Sequence, residues 1–351
     1  MNITTIRKLP PIEEIISRFP LSEEGHKKIK KDREEIKNIL EGKDSRLLVI
    51  VGPCSAWPKE AVFEYAKKLK KLETKFKDSL KIVMRLYIQK PRTTKGWLGP
   101  VNQPDPCKKA DIGKGISYTR EMMVRVVELG LPIADEALFT HNAKGFLELL
   151  SWVAIGARSS EDQEHRIFAS AIDCAVGLKN PTNGSVEIGV NGIVAAQYQH
   201  VAVFDGYEVQ THGNPHAHLV LRGGAQGPNY SVDFIKKAIT EMETHKIKNP
   251  AIIIDASHDN SKVNGSKLHK RQIEVIREVL QSIEKEPGLR KVVRGFMMES
   301  FIKEGSQKID LKHPENIDLG GLSLTDSCLS WSQTEEFLSE LNEIQKKHGT
   351  N

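Results

Sequence analysis

The sequence predicts an α/β protein, a closed (β/α)8 TIM barrel with an N-terminal extension and an inserted β-hairpin. Three observations predict this fold. Short, continuous apolar runs alternate with longer amphipathic stretches, which is typical of a parallel sheet covered by helices. Eight such pairs can be counted along the 351 residues, a suitable length for one closed barrel. The turn after the first apolar run reads GPCSAW and lacks the glycine-rich dinucleotide fingerprint, which counts against an open doubly wound sheet.

The first predicted strand, Leu47–Gly52, is a continuous apolar run (LLVIVG), as expected of a parallel strand buried on both faces. It is followed by a predicted helix over 59–76, in which Val62, Tyr65 and Leu69 fall on one face. The same alternation predicts the other strands at 82–88, 132–137, 153–157, 176–179, 200–204, 251–255 and 292–298. The other helices are predicted at 119–129, 143–151, 161–172, 186–196, 232–244, 268–283 and 334–346.

Two segments lie outside the eight units. Residues 1–45 form an N-terminal extension with a predicted helix from Ser22 to Leu40. Residues 46–351 form a single barrel domain, with an inserted hairpin around 205–224 whose second arm is 218–222. The insertion is rich in histidine, and we expect these side chains to be exposed, with a weak second metal site as the alternative. They are His212, His216 and His218.

Composition and charge exclude several classes of protein. The net charge of +5 is small and the lysines are spread along helix faces, so nucleic-acid binding is not expected. The chain has no run of eighteen apolar residues and no signal-peptide pattern, which predicts a cytoplasmic protein without membrane association. The four cysteines show no CxxC spacing, which argues against a disulfide framework and a structural zinc site.

Residues at the predicted strand ends suggest a metal site, because barrel enzymes carry their active sites at the C-terminal ends of the strands. Four of them offer sulfur, nitrogen and oxygen donors: Cys54, His258, Glu299 and Asp326. This mixture suits a divalent transition metal and argues against magnesium or calcium. Each residue alone could equally turn the chain or cap a helix, but four donor types at separate strand ends weaken that alternative.

A second set of strand-end residues is cationic. Its members are Arg85, Lys90, Arg92, Arg158, Lys179 and Arg222. A single arginine at a strand end is usually part of a weak surface ion pair. Six cations on one face of a barrel would repel each other unless an anion lay between them, and phosphate and carboxylate suit the guanidinium fork. We therefore expect phosphorylated substrates, one of which also carries a carboxylate.

Several segments resemble the type I DAHP (3-deoxy-D-arabino-heptulosonate 7-phosphate) synthases. They include GPCS (52–55), MRLYIQKPRTTKGWLG (84–99), GAR (156–158), VGLKN (176–180), LRGG (221–224), IDASHDNS (254–261) and SLTDSCLSW (323–331). The resemblance runs from about residue 9 to 346. It implies a metal-dependent transferase that joins phosphoenolpyruvate to D-erythrose 4-phosphate, the first step of the shikimate pathway of aromatic amino-acid biosynthesis.

The resemblance also implies roles for individual residues. The metal, which could be manganese, iron, cobalt or zinc, would be held by Cys54, His258, Glu299 and Asp326. Phosphoenolpyruvate would contact Arg85, Lys90, Gly156, Ala157, Arg158, Lys179 and Arg222. Erythrose 4-phosphate would contact Lys90, Pro91, Arg92 and Thr93. Catalytic roles would fall to Lys90, Lys179, Glu136 and His258, with Glu136 orienting a water. Relatives of this type assemble as homodimers or homotetramers through the N-terminal segment and barrel loops.

Some positions depart from the family pattern. Ala56-Trp57-Pro58 stands where many relatives have Ile-His-Asp, and Gln89 stands where Glu is frequent, so a different aldose phosphate is one alternative substrate. A catalytically silent barrel that acts as a regulatory partner is the other alternative. In the phenylalanine pocket of inhibited relatives, this chain has Ala143-Lys144 and the charged Asp173, which predicts weak or absent inhibition by phenylalanine.

Cys328 lies two residues from Asp326, so its thiol is expected near Cys54. We predict that the metal-free protein is inactivated by oxidation through a Cys54–Cys328 disulfide. The alternative is that Cys328 is simply packed against the barrel wall.

Overall fold

The computed structural model describes residues 1–92, 94–138 and 144–349 and contains a closed barrel of eight parallel strands. In chain order, the barrel strands are β1 (Leu47–Gly52), β2 (Leu80–Arg85), β3 (Ile133–Glu136), β4 (Trp152–Ile155), β5 (Ala175–Lys179), β8 (Ala217–Leu221), β9 (Ile252–Asp255) and β12 (Val293–Glu299). Each pairs with its neighbours in this order, and β12 pairs with β1 to close the barrel. The predicted fold class is confirmed.

The remaining strands form two short antiparallel ribbons outside the barrel. One consists of β6 (Val201–Phe204) and β7 (Tyr207–Gln210), and the other of β10 (Lys262–Val263) and β11 (Ser266–Lys267). The helices are α1 (Ile12–Arg18), α2 (Glu23–Glu41), α3 (Lys59–Lys75), α4 (Ile112–Glu128), α5 (Gln163–Ala171), α6 (Val186–Gln197), α7 (Val232–Thr244), α8 (Arg271–Lys285) and α9 (Trp331–Gly349).

Side-chain caps explain where several helices begin. Ser22 accepts a hydrogen bond from the Gly25 amide, and Asp111 and Asp162 accept equivalent bonds at the starts of α4 and α5. These contacts satisfy amides that have no partner within the helix. In the described part of the chain, no helix is both long and apolar enough to cross a bilayer.

Two buried apolar layers hold the barrel together. The first lies between the strands and the surrounding helices, and the second lies in the barrel lumen around Trp152 and Met297. Ile36, Ile39 and Leu40 of α2 belong to the luminal layer. The N-terminal extension therefore contributes apolar side chains to the interior of the barrel.

The predicted position of the inserted hairpin is wrong. The hairpin lies at Val201–Gln210, so the segment predicted as the sixth barrel strand is its first arm. The segment predicted as the second arm of the insertion, around 218–222, is β8 of the barrel and pairs with β5 and β9. Residue exposure shows the reason. The burial of β6 alternates, as expected of a surface ribbon, whereas all residues of β8 are buried.

The helix predicted over 143–151 is also wrong in the described residues. Ala143 lies outside them, and the segment contains only a 3-10 turn at Leu147–Leu149. Gly145 adopts a φ of 86°, a left-handed conformation that interrupts a helix.

Candidate active site

The C-terminal ends of the barrel strands surround a cavity of about 290 Å³. The predicted site residues that line it are Cys54, Lys90, Pro91, Arg92, Glu136, Ala157, Arg158, Lys179, Arg222, His258 and Asp326. Arg85, Gly156 and Glu299 are not part of its lining, and Thr93 lies outside the described residues. Residues that are far apart in sequence thus meet because they lie at or after the C-terminal ends of several parallel strands.

One group of three potential metal ligands is present among the described residues. A ligand atom of each of Cys54, Glu299 and Asp326 lies within 4.8 Å of the other two. Cys54 follows β1, Glu299 ends β12, and Asp326 belongs to the loop between β12 and α9. A sulfur and two oxygen donors at this separation fit a divalent transition metal. The structure thus brings together three of the four predicted ligands as one group.

His258, the fourth predicted ligand, lies beside this group, with its Nε2 3.9 Å from Oε1 of Glu299. Its backbone has a φ of 55°, which is uncommon for a residue with a side chain. Its Nδ1 lies 2.9 Å from Oδ2 of Asp255 and 2.7 Å from Oγ of Ser257. Because Nδ1 has these partners, Nε2 is the nitrogen that remains for a metal.

The electrostatic environment of the group also fits a cation. Burial, together with the Glu299 carboxylate, raises the pKa of Cys54 to about 11. Burial opposes ionisation of Glu299, but His258 and Arg85 hold the pKa of this carboxyl below its usual value. Burial likewise opposes ionisation of Asp326, yet Lys267 and His258 keep its pKa low. The two carboxylates are therefore charged, and a bound cation would favour the Cys54 thiolate.

Arg85 lies behind the cavity wall and contacts a metal-ligand candidate. It is fully buried, with Nη2 3.0 Å from Oε1 of Glu299 and Nη1 2.9 Å from Sδ of Met297. Its guanidinium stacks 3.9 Å from the ring centroid of Tyr87. Desolvation opposes the charge, but Tyr87 and Glu299 keep the pKa of Arg85 above its ordinary value. Arg85 thus contacts Glu299 in this arrangement, and its contact with phosphoenolpyruvate stays a prediction.

Three other predicted cations line the cavity and already have partners within the chain. Lys179 Nζ lies 3.0 Å from Oδ2 of Asp255, and Arg222 pairs with Asp259. Lys90 Nζ donates to the carbonyl of Cys54 at 2.7 Å and lies 3.3 Å from its Sγ. Part of the positive charge that the sequence assigns to anionic substrates is therefore balanced by buried carboxylates.

Gly156 supports Glu136 through the absence of a side chain. A Cβ at position 156 would lie 2.1 Å from Oε1 of Glu136. Glycine therefore leaves room for a buried carboxylate at the end of β3, where Glu136 lines the cavity beside Lys90.

Sequence reasoning missed Lys267, which lines the cavity on β11 with Nζ 3.0 Å from Oδ2 of Asp326. The Asn264-Gly265 pair, with φ values of 50° and 80°, forms the turn between β10 and β11. An Asn-Gly pair between short strands is a strong hairpin signal, and it could have predicted this ribbon beside His258. The missed Thr94, Lys95 and Thr325 also line the cavity.

The three histidines of the predicted insertion lie in different environments. His218 is fully buried in β8, His216 Nε2 lies 2.8 Å from Oε1 of Glu41, and His212 is exposed. Trp152 Nε1 donates to Nε2 of His218, while His218 Nδ1 donates to the His216 carbonyl. The prediction that all three are exposed is wrong, and among the described residues they form no group of metal ligands.

Comparisons with known proteins agree on one family. The model of the DAHP synthetase I family matches residues 20–339. The phospho-2-dehydro-3-deoxyheptonate aldolase of Haemophilus influenzae is 40% identical over 95% of this chain and 91% of its own length. The Tyr-sensitive enzyme of the same name from Escherichia coli K12 is 38% identical over 98% of this chain and 95% of its own length.

A solved structure agrees with this result. The phospho-2-dehydro-3-deoxyheptonate aldolase of Francisella tularensis SCHU S4 superposes with a TM-score of 0.91. It is 36% identical to this chain, and the match covers 98% of this chain and 99% of that one.

Proposed function

The chain belongs to the DAHP synthetase I family, and we propose that it condenses phosphoenolpyruvate with D-erythrose 4-phosphate to give DAHP and phosphate. This reaction is the first step of the shikimate pathway. The observation that carries the proposal is one cavity in which the metal-ligand candidates Cys54 and Asp326 face the cationic side chains. Such a cavity suits two phosphorylated substrates and one divalent cation.

Phosphoenolpyruvate would bind on the side formed by β4, β5 and β8. Arg158, Lys179 and Arg222 follow these strands and line the cavity. Guanidinium groups pair with phosphate and carboxylate through two parallel hydrogen bonds. Arg85, Lys90 and the backbone of Gly156 and Ala157 would provide further contacts, and Arg85 also lies 3.0 Å from Glu299.

Erythrose 4-phosphate would bind on the opposite side, along Lys90, Pro91 and Arg92. Thr93 is a further contact that the resemblance implies, and it lies outside the described residues. Lys90 is the residue best placed for proton transfer, because its ammonium lies 3.3 Å from the Cys54 sulfur at the cavity wall. Although burial opposes its charge, Cys54, Glu299 and Glu136 raise the pKa of Lys90 above its ordinary value. It would therefore enter the reaction protonated and deliver a proton to the alkoxide that forms from the aldehyde.

The metal would be held by Cys54, His258, Glu299 and Asp326, and manganese, iron, cobalt and zinc all suit these donors. When bound, it would polarise an oxygen of the substrate or lower the pKa of a water. The Asp255 carboxylate would keep the ring of His258 oriented.

The bond changes assign the remaining roles. The C2=C3 electron pair of phosphoenolpyruvate forms the bond to the aldehyde carbon, and the carbonyl pair of the aldehyde becomes the alkoxide that Lys90 protonates. Water adds to C2 and loses its protons as C2 becomes the keto carbon, and phosphate leaves with the electrons of its bond to C2. Binding both substrates in one cavity supplies the proximity that this step needs. Glu136, buried beside Lys90, would orient the water, and Lys179 would stabilise charge at the carboxylate.

We also propose that the protein is a homodimer or homotetramer. Apolar side chains are exposed to solvent on the hairpin β6–β7 and in the N-terminal segment, and they support this oligomeric state. The exposed fractions are 68% for Val201, 77% for Val203, 73% for Tyr207, 74% for Ile3 and 92% for Ile6. Apolar surface of this kind is typical of a protein interface.

The proposal is tested by following the ultraviolet absorbance of phosphoenolpyruvate with erythrose 4-phosphate and manganese, before and after a chelator. We expect metal-dependent loss that is abolished in Cys54→Ala and retained in Cys174→Ala, a buried cysteine outside the cavity. If the protein turned over only another aldose phosphate, that compound would replace erythrose 4-phosphate as the proposed substrate. No turnover with any aldehyde, together with no bound metal, would favour the catalytically silent barrel.

A further inference from the structure

Two tryptophans form a small buried cluster beside the cavity, separate from the two main apolar layers. Trp57 and Trp97 are each 7% exposed, and their rings meet edge to face with centroids 6.4 Å apart. Leu324 completes the cluster. Its three members come from the loops after β1, β2 and β12, so the cluster lies where these three loops meet.

Both indole nitrogens donate to neighbouring carbonyls of the same segment. Trp57 Nε1 donates to the carbonyl of Pro104 at 2.9 Å, and Trp97 Nε1 donates to that of Gln103 at 2.8 Å. A buried indole N–H requires a partner, so each ring is held in one orientation. Together the two bonds fix the end of the loop that follows β2.

This end of the loop in turn positions Lys90. The Lys90 amide donates to the Leu98 carbonyl at 3.0 Å, and the Val101 amide donates to the Ile88 carbonyl at 3.3 Å. The two arms of the loop are thus joined by backbone hydrogen bonds. Gly99, with a φ of 98°, allows their close approach, because a Cβ there would lie 2.5 Å from the Ile88 carbonyl oxygen.

The same cluster reaches the loop that carries Asp326. Leu324 packs against the tryptophans, and the next residue, Thr325, donates from Oγ1 to Oγ of Ser55 at 3.0 Å. Thr325 and Asp326 both line the cavity. The tryptophan cluster therefore connects the loop that carries Lys90 with the two loops that carry the metal-ligand candidates Cys54 and Asp326.

We propose that Trp57 is a positioning residue that sets the affinity for the aldose phosphate, by holding the loop from Lys90 to Pro104 against the other two loops. This inference rests on the function proposed above. The cationic residues on the phosphoenolpyruvate side follow β4, β5 and β8, and these strands contribute no residue to the cluster. Loss of Trp57 should therefore weaken binding of the aldose phosphate more than binding of phosphoenolpyruvate, whose one expected contact on this loop is Lys90.

Steady-state kinetics of Trp57→Ala and Trp57→Phe test the proposal. We expect the KM for erythrose 4-phosphate to rise about tenfold in Trp57→Ala, because small displacements of a positioning group are costly. The KM for phosphoenolpyruvate should rise clearly less, because only Lys90 among its expected contacts lies on this loop, and the amount of bound metal should stay at the wild-type value. Trp57→Phe keeps the ring contact but loses the N–H bond, and it should lie between Trp57→Ala and wild type. Equal rises in both KM values, or no rise in either, would overturn the proposal.

Trp331→Phe is the matched control, because Trp331 also packs edge to face, against Tyr65, and its Nε1 donates to Glu335 on the outer helix α9. It should leave both KM values unchanged. Tryptic cleavage at Arg92 and Lys95 gives a second readout that needs no activity. We expect cleavage to accelerate several-fold in Trp57→Ala and to stay at the wild-type rate in Trp331→Phe.

The two tests separate failure of this inference from failure of the proposed function. A wild type inactive with erythrose 4-phosphate would overturn the function, and faster cleavage in Trp57→Ala would still support the positioning role. An active wild type with unchanged cleavage and unchanged KM values in Trp57→Ala would overturn the positioning role alone. If Trp57→Ala does not fold, the same comparisons apply to Trp57→Phe.

Discussion

Cys54 and Cys328 are buried free thiols on two of the loops that supply metal-ligand candidates. Burial, followed by Glu299 and Cys54, raises the pKa of Cys328 well above its ordinary value. Asp326, two residues before Cys328, has a carboxylate oxygen within 4.8 Å of the Cys54 sulfur, so the two cysteines lie on neighbouring loops. The hypothesis of a disulfide in the metal-free protein therefore stays a prediction, with a specific pair of thiols to test.

We predict that the chelated wild type, kept in air, loses the activity that added manganese restores, through a Cys54–Cys328 bond, because removal of a metal would expose the Cys54 sulfur to its neighbour. Cys328→Ser should keep its activity under the same treatment, and Cys174→Ser should lose it at the wild-type rate. Reductant should restore the wild type, and peptide mapping should find the disulfide. Equal rates of inactivation in wild type and Cys328→Ser would contradict this.

His218 is a buried ionisable residue that the reaction does not use. Burial lowers its pKa from 6.5 to about 4. Its neutral ring accepts from Trp152 and donates to the His216 carbonyl, so protonation would break the bond to Trp152. Between pH 6.5 and 4 the unfolded chain binds a proton that the folded chain does not. The contribution of His218 to stability is thus complete above pH 6.5 and is lost as the pH falls through this window.

We predict that His218→Gln removes part of the acid sensitivity of the fold. An amide can accept from Trp152 and donate to the His216 carbonyl but does not titrate. Between pH 7 and pH 5, the free energy of unfolding should fall by about 2 kcal/mol more in wild type than in His218→Gln. Urea unfolding at both pH values measures this difference. His313→Gln, an exposed control, should behave like wild type, and parallel pH profiles for wild type and His218→Gln would refute the prediction.

At the scale of elements, periodicity predicts the barrel well because a buried parallel strand is a continuous apolar run. LLVIVG and IIID are such runs, and both are barrel strands. The same criterion fails at VAVF, which is apolar but lies on a surface ribbon with exposed Val201 and Val203. Burial of a short apolar segment depends on what covers it, and this information is not local in sequence.

Strand ends in the sequence also predicted part of the candidate site but not all of it. Strand ends identify Cys54, Glu299 and Asp326 because the fold places all such ends on one face. They do not reveal that Arg85 is buried behind Glu299, since side-chain direction depends on the register of β2 against its neighbours. Lys267 lies outside the barrel, on a ribbon that strand counting does not include.

The buried ion pairs of α2 connect the N-terminal extension to the barrel. Lys81 of β2 is 2% exposed, and its Nζ lies 2.6 Å from both Oδ1 of Asp32 and Oε2 of Glu35. Lys31, on the surface of the same helix, lies 3.8 Å from Oε1 of Glu35 and is 72% exposed. The two lysines thus share an acidic partner but differ in burial.

We predict that Lys81→Met lowers the free energy of unfolding by about 1–3 kcal/mol, because it removes the buried cation of Asp32 and leaves only the partly buried Lys28 as partner of this carboxylate. Lys31→Met should change the same quantity by less than about 0.5 kcal/mol, as expected for a solvent-exposed pair. Chemical denaturation of both variants and the wild type makes the comparison. Similar losses of unfolding free energy in the two variants would show that burial of the ion pair does not determine its contribution to stability.

The charge of the Asp173 side chain is the basis of a second prediction at the scale of elements. It lies on the wall of a cavity between α2, α5 and the hairpin β6–β7, where it pairs with Arg33 at 3.7 Å and Lys37 at 3.5 Å. A charged carboxylate with cationic partners disfavours an apolar ring. We expect no inhibition by micromolar phenylalanine in an activity assay, and such inhibition would contradict the prediction. Asp173→Ser tests whether the charge itself is responsible.

At the scale of the whole molecule, the metal-ligand candidates lie at the closure of the barrel. Cys54 follows the first barrel strand, β1, and Glu299 ends the last, β12; the register pairs Gly52 with Glu299. His258 follows β9, the other neighbour of β12. One cation would therefore link three adjacent strands whose positions in the sequence are far apart, and would stabilise the contact that completes the fold.

We predict that removing the metal destabilises the entire barrel. A cation that binds only the folded chain adds about 2.7 kcal/mol at one hundred times its Kd, which corresponds to a Tm shift of at least several degrees. Calorimetry with manganese and with a chelator measures the shift in wild type, and Cys174→Ala should show the same value. In Cys54→Ala the shift should largely disappear, because one strand of the closure no longer contributes a ligand. A shift of equal size in Cys54→Ala would place the stabilising cation elsewhere and separate metal binding from closure of the barrel.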